Sequence, residues 1–220
     1  MSESAPLKVD IWSDIACPWC YIGKRRFEEG VRRHVANGGR DVTIEYHSFE
    51  LAPDTPVDYD GTEVDFLVKH KGMPAERVKE MLANVTDIAS GVGLKYDFDA
   101  VQHTKTLNAH RLLHFAKAHG LQAELKERLL KAYFVEGRHV GRETELTALA
   151  AEVGLDPDAA AEALATGAYA DAVEADLAQA SAYGIRGVPF FVIESAYGVS
   201  GAQEPEVFAA ALRRAEEGTA

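Results

Sequence analysis

The sequence holds little cysteine: two residues in 220, Cys17 and Cys20. A multiply bridged scaffold is excluded, and the tiny loop between these two would remove little entropy from the unfolded chain. Positive charge is also short, with 23 Lys and Arg against 35 Asp and Glu and a net charge of −12. Nucleic-acid binding needs a clustered basic face. The basic run Lys24-Arg25-Arg26 is followed at once by Glu28 and Glu29 and reads as a solvated helix face. Long apolar runs are missing too. Stretches such as Gly187 to Ile193 fall far short of the ~20 residues that cross a bilayer, so no membrane partner is expected. Met1 to Val9 contains Glu3 and Pro6 and no basic segment leading into an apolar one. No secretory signal is visible, and a cytoplasmic location is expected. No repeat period is evident, and nothing in the sequence points to an oligomeric state.

What remains is a soluble globular composition, 47% apolar and 26% charged, long enough for one large domain or one domain carrying an insertion. The cysteines stand in "SDIACPWCYIGKRRFEE", separated by Pro18 and Trp19. A zinc site would need two further ligands, which only histidine is left to supply. His110 and His114, four apart in "AHRLLH", lack the glutamate of H-E-x-x-H and read as ordinary helix histidines. No metal site is expected.

The reacting-pair reading depends on local structure. "LKVDIWS" (7–13) is a β-branched, apolar strand, and 18–36 places Trp19, Ile22, Phe27, Val31 and Val35 at near-helical spacing. Pro18 suits the first helical turn, where its missing N–H is not needed. "NGGR" ends the helix and "DVTIEYHSF" is a second strand. A C-x-x-C opening the helix of a β-α-β unit reads as a thioredoxin-like redox motif. Helix-terminal N–H groups favour a thiolate there, which predicts Cys17 as an exposed nucleophile with a pKa below the ordinary thiol value. Cys20, one turn on, is predicted to be buried and to resolve a mixed disulfide. Asp14, three before Cys17, reads more readily as a turn residue ahead of the helix than as a carboxylate acting near the thiols.

Such a site also predicts a distal X-Pro opening a strand, and "IRGVPFFVIE" supplies Val188-Pro189, expected to be cis. A short strand around Val199 and a helix from Pro205 follow. Between the two ends, from about Thr62 to Gly184, lie seven helix-like segments punctuated by glycine and proline. The last of them leads into Val188-Pro189 and is assigned to the sheet domain. The predicted fold is α/β, a thioredoxin-like domain (1–55 and 168–220) carrying a large all-helical insertion (56–167) between the second strand and the proline strand.

Six segments taken together carry a family resemblance: "DIACPWCYIGKRRFE", "HSFELAPD", "AHRLLHFAKAHGL", "AYFVEGRHV", "YGIRGVPFFVI" and "VSGAQ". Across nearly its whole length the chain resembles the DsbA-like thiol-disulfide oxidoreductases, and within them the FrnE subgroup. The resemblance implies a dithiol/disulfide enzyme with no bound cofactor. Cys17 would attack, Cys20 resolve, Pro18 and Trp19 shape the site, and Val188 and Pro189 meet the substrate backbone. Protein thiols and disulfides or a small molecule would be the partner, with glutathione or another low-molecular-weight thiol as a candidate co-substrate. The subgroup usually carries asparagine where Lys105 stands, and Lys105, His110 and Arg111 are candidate substrate contacts. Kappa-class glutathione transferases and hydroxychromene-carboxylate isomerases share the architecture but usually carry serine at the Cys17 position. A glutathione-dependent isomerase acting on a small molecule and a chaperone-like binding module are the alternatives.

Overall fold

The computed structural model describes residues 5–218, so the outermost terminal residues, including Met1 to Ser4 of the segment read for a secretory signal, lie outside the described residues. The described chain forms two compact units, Met1–Phe49 with Asp176–Ala220 and, between them in sequence, Glu50–Ala175.

The first unit is built on a four-stranded sheet. Strand β1 (Leu7–Ser13) leads through a turn into helix α1 (Pro18–Ala36) and then β2 (Val42–Ser48). β1 and β2 run parallel, in register from Leu7 opposite Val42 to Ser13 opposite Ser48. Strand β3 (Phe190–Ile193) pairs antiparallel with β1, and β4 (Tyr197–Ser200) antiparallel with β3, giving the order β2-β1-β3-β4. Helix α9 (Pro205–Gly218) closes the unit.

Alternation along the strands divides the side chains between two faces. One face contributes Leu7, Val9, Ile11, Tyr46, Phe191 and Ile193, packed against Phe27 of α1 and Phe208, Leu212 and Ala215 of α9. Phe208 meets Phe27 and Phe191 edge-on, with ring centroids 5.3 and 4.6 Å apart. α1 and α9 approach closely at Gly30, where a Cβ would stand 2.6 Å from the Cβ of Phe208. The other face carries Trp12 and Val192 against Ala180 and Ile185, and beside them the charged residues Lys8, Asp10, Glu45 and His47.

The second unit is helical. It comprises α2 (Glu63–Lys71), α3 (Ala75–Gly91), α4 (Leu107–Ala118), α5 (Gln122–Phe134), α6 (Glu143–Glu152) and α7 (Pro157–Ala165). Thr62 and Asp65 form a reciprocal capping box at the start of α2, and Gly72 ends that helix in the left-handed region at φ 65°. Asp156, followed by Pro157, caps α7. Leu112 and Leu113 of α4, Leu125, Leu129 and Leu130 of α5, and Leu146 and Leu149 of α6 are all buried.

This unit spans more chain than the 56–167 read from the sequence. Residues ahead of 56 belong to it because Lys105 Nζ donates to the Pro53 carbonyl, at 2.8 Å, and Thr55 is buried. Residues after 167 belong to it because the Ala168 carbonyl accepts from Arg111. The division falls inside helix α8 (Ala170–Ala182), which ends in the first unit.

Candidate active site

Cys17 is the N-cap of α1, in an extended conformation, with Pro18 in the first turn and no side-chain cap. Cys20 lies one turn in, its N–H donating to the Cys17 carbonyl at 3.0 Å. Both are unbridged thiols. The Cys17 thiol donates to the carbonyl of Val188, 3.4 Å away, and the Val188–Pro189 bond is cis. The first strand-helix turn and the head of β3 therefore converge on one sulfur. Trp19 points outward and is 37% exposed, Pro18 and Val188 are half-buried, and Pro189 is buried.

Two expectations are corrected here. Cys17 is buried, only 3% exposed, because the backbone at Val188 and Pro189 lies against it. Its pKa is also not depressed. Hydrogen bonding with the Cys20 sulfur, then burial and the carboxylate of Asp14, push the Cys17 thiol well above the ordinary thiol value. Only the Cys20 backbone N–H, the contribution of the helix terminus, pulls the other way. Asp14 does sit at the turn ahead of α1, where its Oδ1 accepts from the Ile15 N–H at 2.7 Å, and it is buried, 1% exposed, close enough for its charge to act on Cys17.

The sequence reading gave no role to Gly23, where a Cβ would meet Pro189 Cγ at 2.8 Å and Ala202 Cβ at 3.4 Å. A glycine inside an otherwise helical pattern was the available signal of close backbone approach.

It also overlooked the charged cluster on the open face of the sheet. His47 Nδ1 donates to Asp176 Oδ1 at 2.7 Å and Nε2 faces Asp10 Oδ1 at 2.9 Å. Burial opposes the imidazolium, but the hydrogen bonds to Asp176 and Asp10 outweigh it and raise the His47 pKa. The ring stacks on Trp12 with centroids 4.5 Å apart. Ligand atoms of Asp10, Glu45 and His47 lie within 4.8 Å of one another. Those carboxylates already face a second cationic group besides His47, since Lys8 Nζ stands 3.1 Å from Asp10 and 3.3 Å from Glu45. Titratable side chains at alternate positions, Lys8 and Asp10 in β1 and Glu45 and His47 in β2, were the signal in the sequence.

Lys105, His110 and Arg111 belong to the helical unit. Lys105 is tied to Pro53, and His110 is buried in α4. Arg111 donates to the carbonyls of Ala163, Leu164 and Ala168 at 2.7–2.9 Å and to Asn108 Oδ1, also at 2.9 Å. A guanidinium on the last carbonyls of a helix is a structural cap for α7.

A family described as "DSBA-like thioredoxin domain" matches residues 8–213. The probable DsbA oxidoreductase SCO1869 from Streptomyces coelicolor is 40% identical, covers 96% of this chain and 90% of its own, and superposes with a TM-score of 0.90. An uncharacterized protein of Bacillus subtilis (strain 168), YwbO, is 31% identical over 206 residues, 93% of this chain and 94% of that protein. The cytosolic disulfide reductase DsbM from Pseudomonas aeruginosa, solved with GSH, shares the fold at 19% identity, with 96% of this chain and 100% of that one covered and a TM-score of 0.66. Among the described residues no helix is long and apolar enough to cross a membrane.

Proposed function

Because the chain belongs to the family of DsbA-like thioredoxin domains, we propose that it is a thiol-disulfide oxidoreductase of the FrnE type, working in the cytoplasm through Cys17 and Cys20. The observation that carries the reading is the placement of Cys17 Sγ at the start of α1, one turn from Cys20 and 3.4 Å from the Val188 carbonyl. A substrate entering as an extended segment would take over that carbonyl by strand-like pairing and free the thiol.

In the reducing direction the Cys17 thiolate attacks one sulfur of a substrate disulfide, and the other sulfur leaves as a thiolate and takes a proton. Cys20 then attacks the Cys17 sulfur of the mixed disulfide, the second substrate thiol departs, and the Cys17–Cys20 disulfide carries the two electrons' worth of oxidation. Two molecules of a thiol such as glutathione return the enzyme to the dithiol by two successive exchanges and leave as their own disulfide. The DsbM reductase structure solved with GSH makes glutathione the first co-substrate to test.

The electrostatics of the reduced site support the reducing direction. A strongly oxidising couple needs a reduced form stabilised as thiolate, whereas here burial, Cys20 and Asp14 favour the protonated Cys17. The couple is therefore assigned to the reducing side of the range, nearer thioredoxin at about −270 mV than DsbA at about −120 mV. Equilibration in glutathione buffers with thiol trapping tests it. A single two-electron transition toward the reducing end is expected, and no change in trapped thiols across the range would defeat the redox reading.

A further inference from the structure

Three contacts join α1 to the strand that faces the dithiol. Gly23, one turn beyond Cys20, lies directly under the Pro189 ring, where a Cβ would be only 2.8 Å from Cγ. Arg26, one turn further, donates from Nη1 to the Ala202 carbonyl at 2.7 Å and pairs through Nη2 with Glu204 at 2.9 Å. Gly201, next to Ala202, donates its N–H to the Pro189 carbonyl at 2.8 Å. One face of α1 thus holds Pro189 twice, by direct contact and through the turn that follows β4.

We propose that Gly23 and Arg26 are positioning residues that set how closely the Val188 carbonyl approaches the Cys17 sulfur. The inference rests on the dithiol reading above and deepens it. α1 carries Cys17 at its N-terminus and abuts Pro189 at Gly23, so the helix is the common frame for both halves of the site. A proline ring is stiff and has little room to yield by rotation. A Cβ at position 23 must push either the ring or the helix, and either motion lengthens the 3.4 Å Cys17–Val188 hydrogen bond. That bond stabilises the protonated sulfur, so lengthening it eases loss of the proton.

A structural role alone predicts a different result for Gly23→Ala. Alanine is the better helix former, so a helix without the Pro189 contact would simply be stabilised. The test measures the pH profile of Cys17 alkylation by iodoacetamide in the wild type, Gly23→Ala, Pro189→Ala and the double variant, all in the reduced full chain. Gly23→Ala is expected to move the profile acidward, so that alkylation at pH 7 is roughly two- to tenfold faster, the range of one neutral hydrogen bond. In the Pro189→Ala background, which has no Cγ to push, the same substitution is expected to add less than about a twofold change. Equal shifts in both backgrounds, or none in either, would overturn the proposal. Should Gly23→Ala not fold, Arg26→Gln loosens the second connection without adding bulk and is expected to shift the profile in the same direction. An unmoved profile in a folded Arg26→Gln variant would remove Arg26 from the assignment. Alkylation requires no disulfide exchange, so these outcomes remain separable from a failure of the wild type to equilibrate with glutathione.

Discussion

Replacing Asp176 by alanine removes the carboxylate that holds His47 in place. Its Oδ1 accepts from His47 Nδ1 and its Oδ2 from the Ser48 N–H, each at 2.7 Å, and both bonds are largely buried. A hydrogen bond to a charged group contributes about 1.5–3 kcal/mol, so the two together amount to about 3–6 kcal/mol. His47 can shed its proton once Asp176 is gone, which places the expected loss in the lower half, about 3–4 kcal/mol. Domains are stable by only about 5–15 kcal/mol, so the effect is a large share. Both tryptophans of the chain, Trp12 and Trp19, lie in the sheet unit, so urea unfolding followed by tryptophan fluorescence reports that unit alone. The pH dependence carries its own sign. The folded pKa of His47 is raised, so its ionised form contributes stability that is fully present below the unfolded value near 6.5 and is lost as pH rises through the folded value. The gap between wild type and Asp176→Ala should therefore be widest at pH 5.5–6 and narrow as pH rises. A loss under about 1 kcal/mol, or a gap that widens with pH, would refute the account of the cluster.

The other expectations concern the thiols and the helical unit. Cys17→Ser should abolish exchange, whereas Cys20→Ser should accumulate a mixed disulfide with glutathione. Mass spectrometry identifies the adduct, and in the Cys17→Ser variant an adduct formed as readily on Cys20 would reverse the assigned roles. With the Cys17 pKa raised, alkylation of the wild-type dithiol should be slow at pH 7 and climb about tenfold per pH unit into the alkaline range. A plateau already reached at pH 7 would show a thiolate stabilised against the burial described above. Arg111→Met should cost about 3–5 kcal/mol by leaving buried carbonyls at the end of α7 without their donor, with glutathione exchange unchanged in the folded protein. A stable Arg111→Met variant that loses exchange would restore Arg111 to a role with substrate.

Local chemistry made the ends of the chain legible. Pro18 and the run to Ala36 carry a starting residue, an apolar period and a stop at "NGG", and the helix occupies Pro18–Ala36. Leu7–Ser13 and Val42–Ser48 are strands because β-branched residues alternate between clear punctuators. Val188-Pro189 was recognisable ahead of a strand because proline is tolerated at a strand's start. The environment of Cys17 was not legible in the same way. Its burial is supplied by residues 171 positions away, and the spacing that put Asp14 near the thiols did not record that it would be enclosed there. Arg111 read as a candidate substrate contact because the α7 carbonyls it caps lie 52 and 53 residues further along. His47 looked like one polar residue of a half-exposed strand until α8 brought Asp176 onto it.

The interposition of Glu50–Ala175 between β2 and β3 fixes an order of events during translation. β1, α1 and β2 are made first, but the antiparallel neighbour of β1, Phe190–Ile193, follows only after the whole helical unit. At ~5–20 residues per second the intervening span takes roughly 6–25 s to synthesise. Through that interval the nascent β1 has one edge without its partner, and both cysteines precede the Val188 carbonyl that accepts the Cys17 hydrogen bond. The newborn dithiol therefore exists for that interval without the residues that enclose it in the finished fold, and both thiols are more open to small oxidants and thiols then than afterwards.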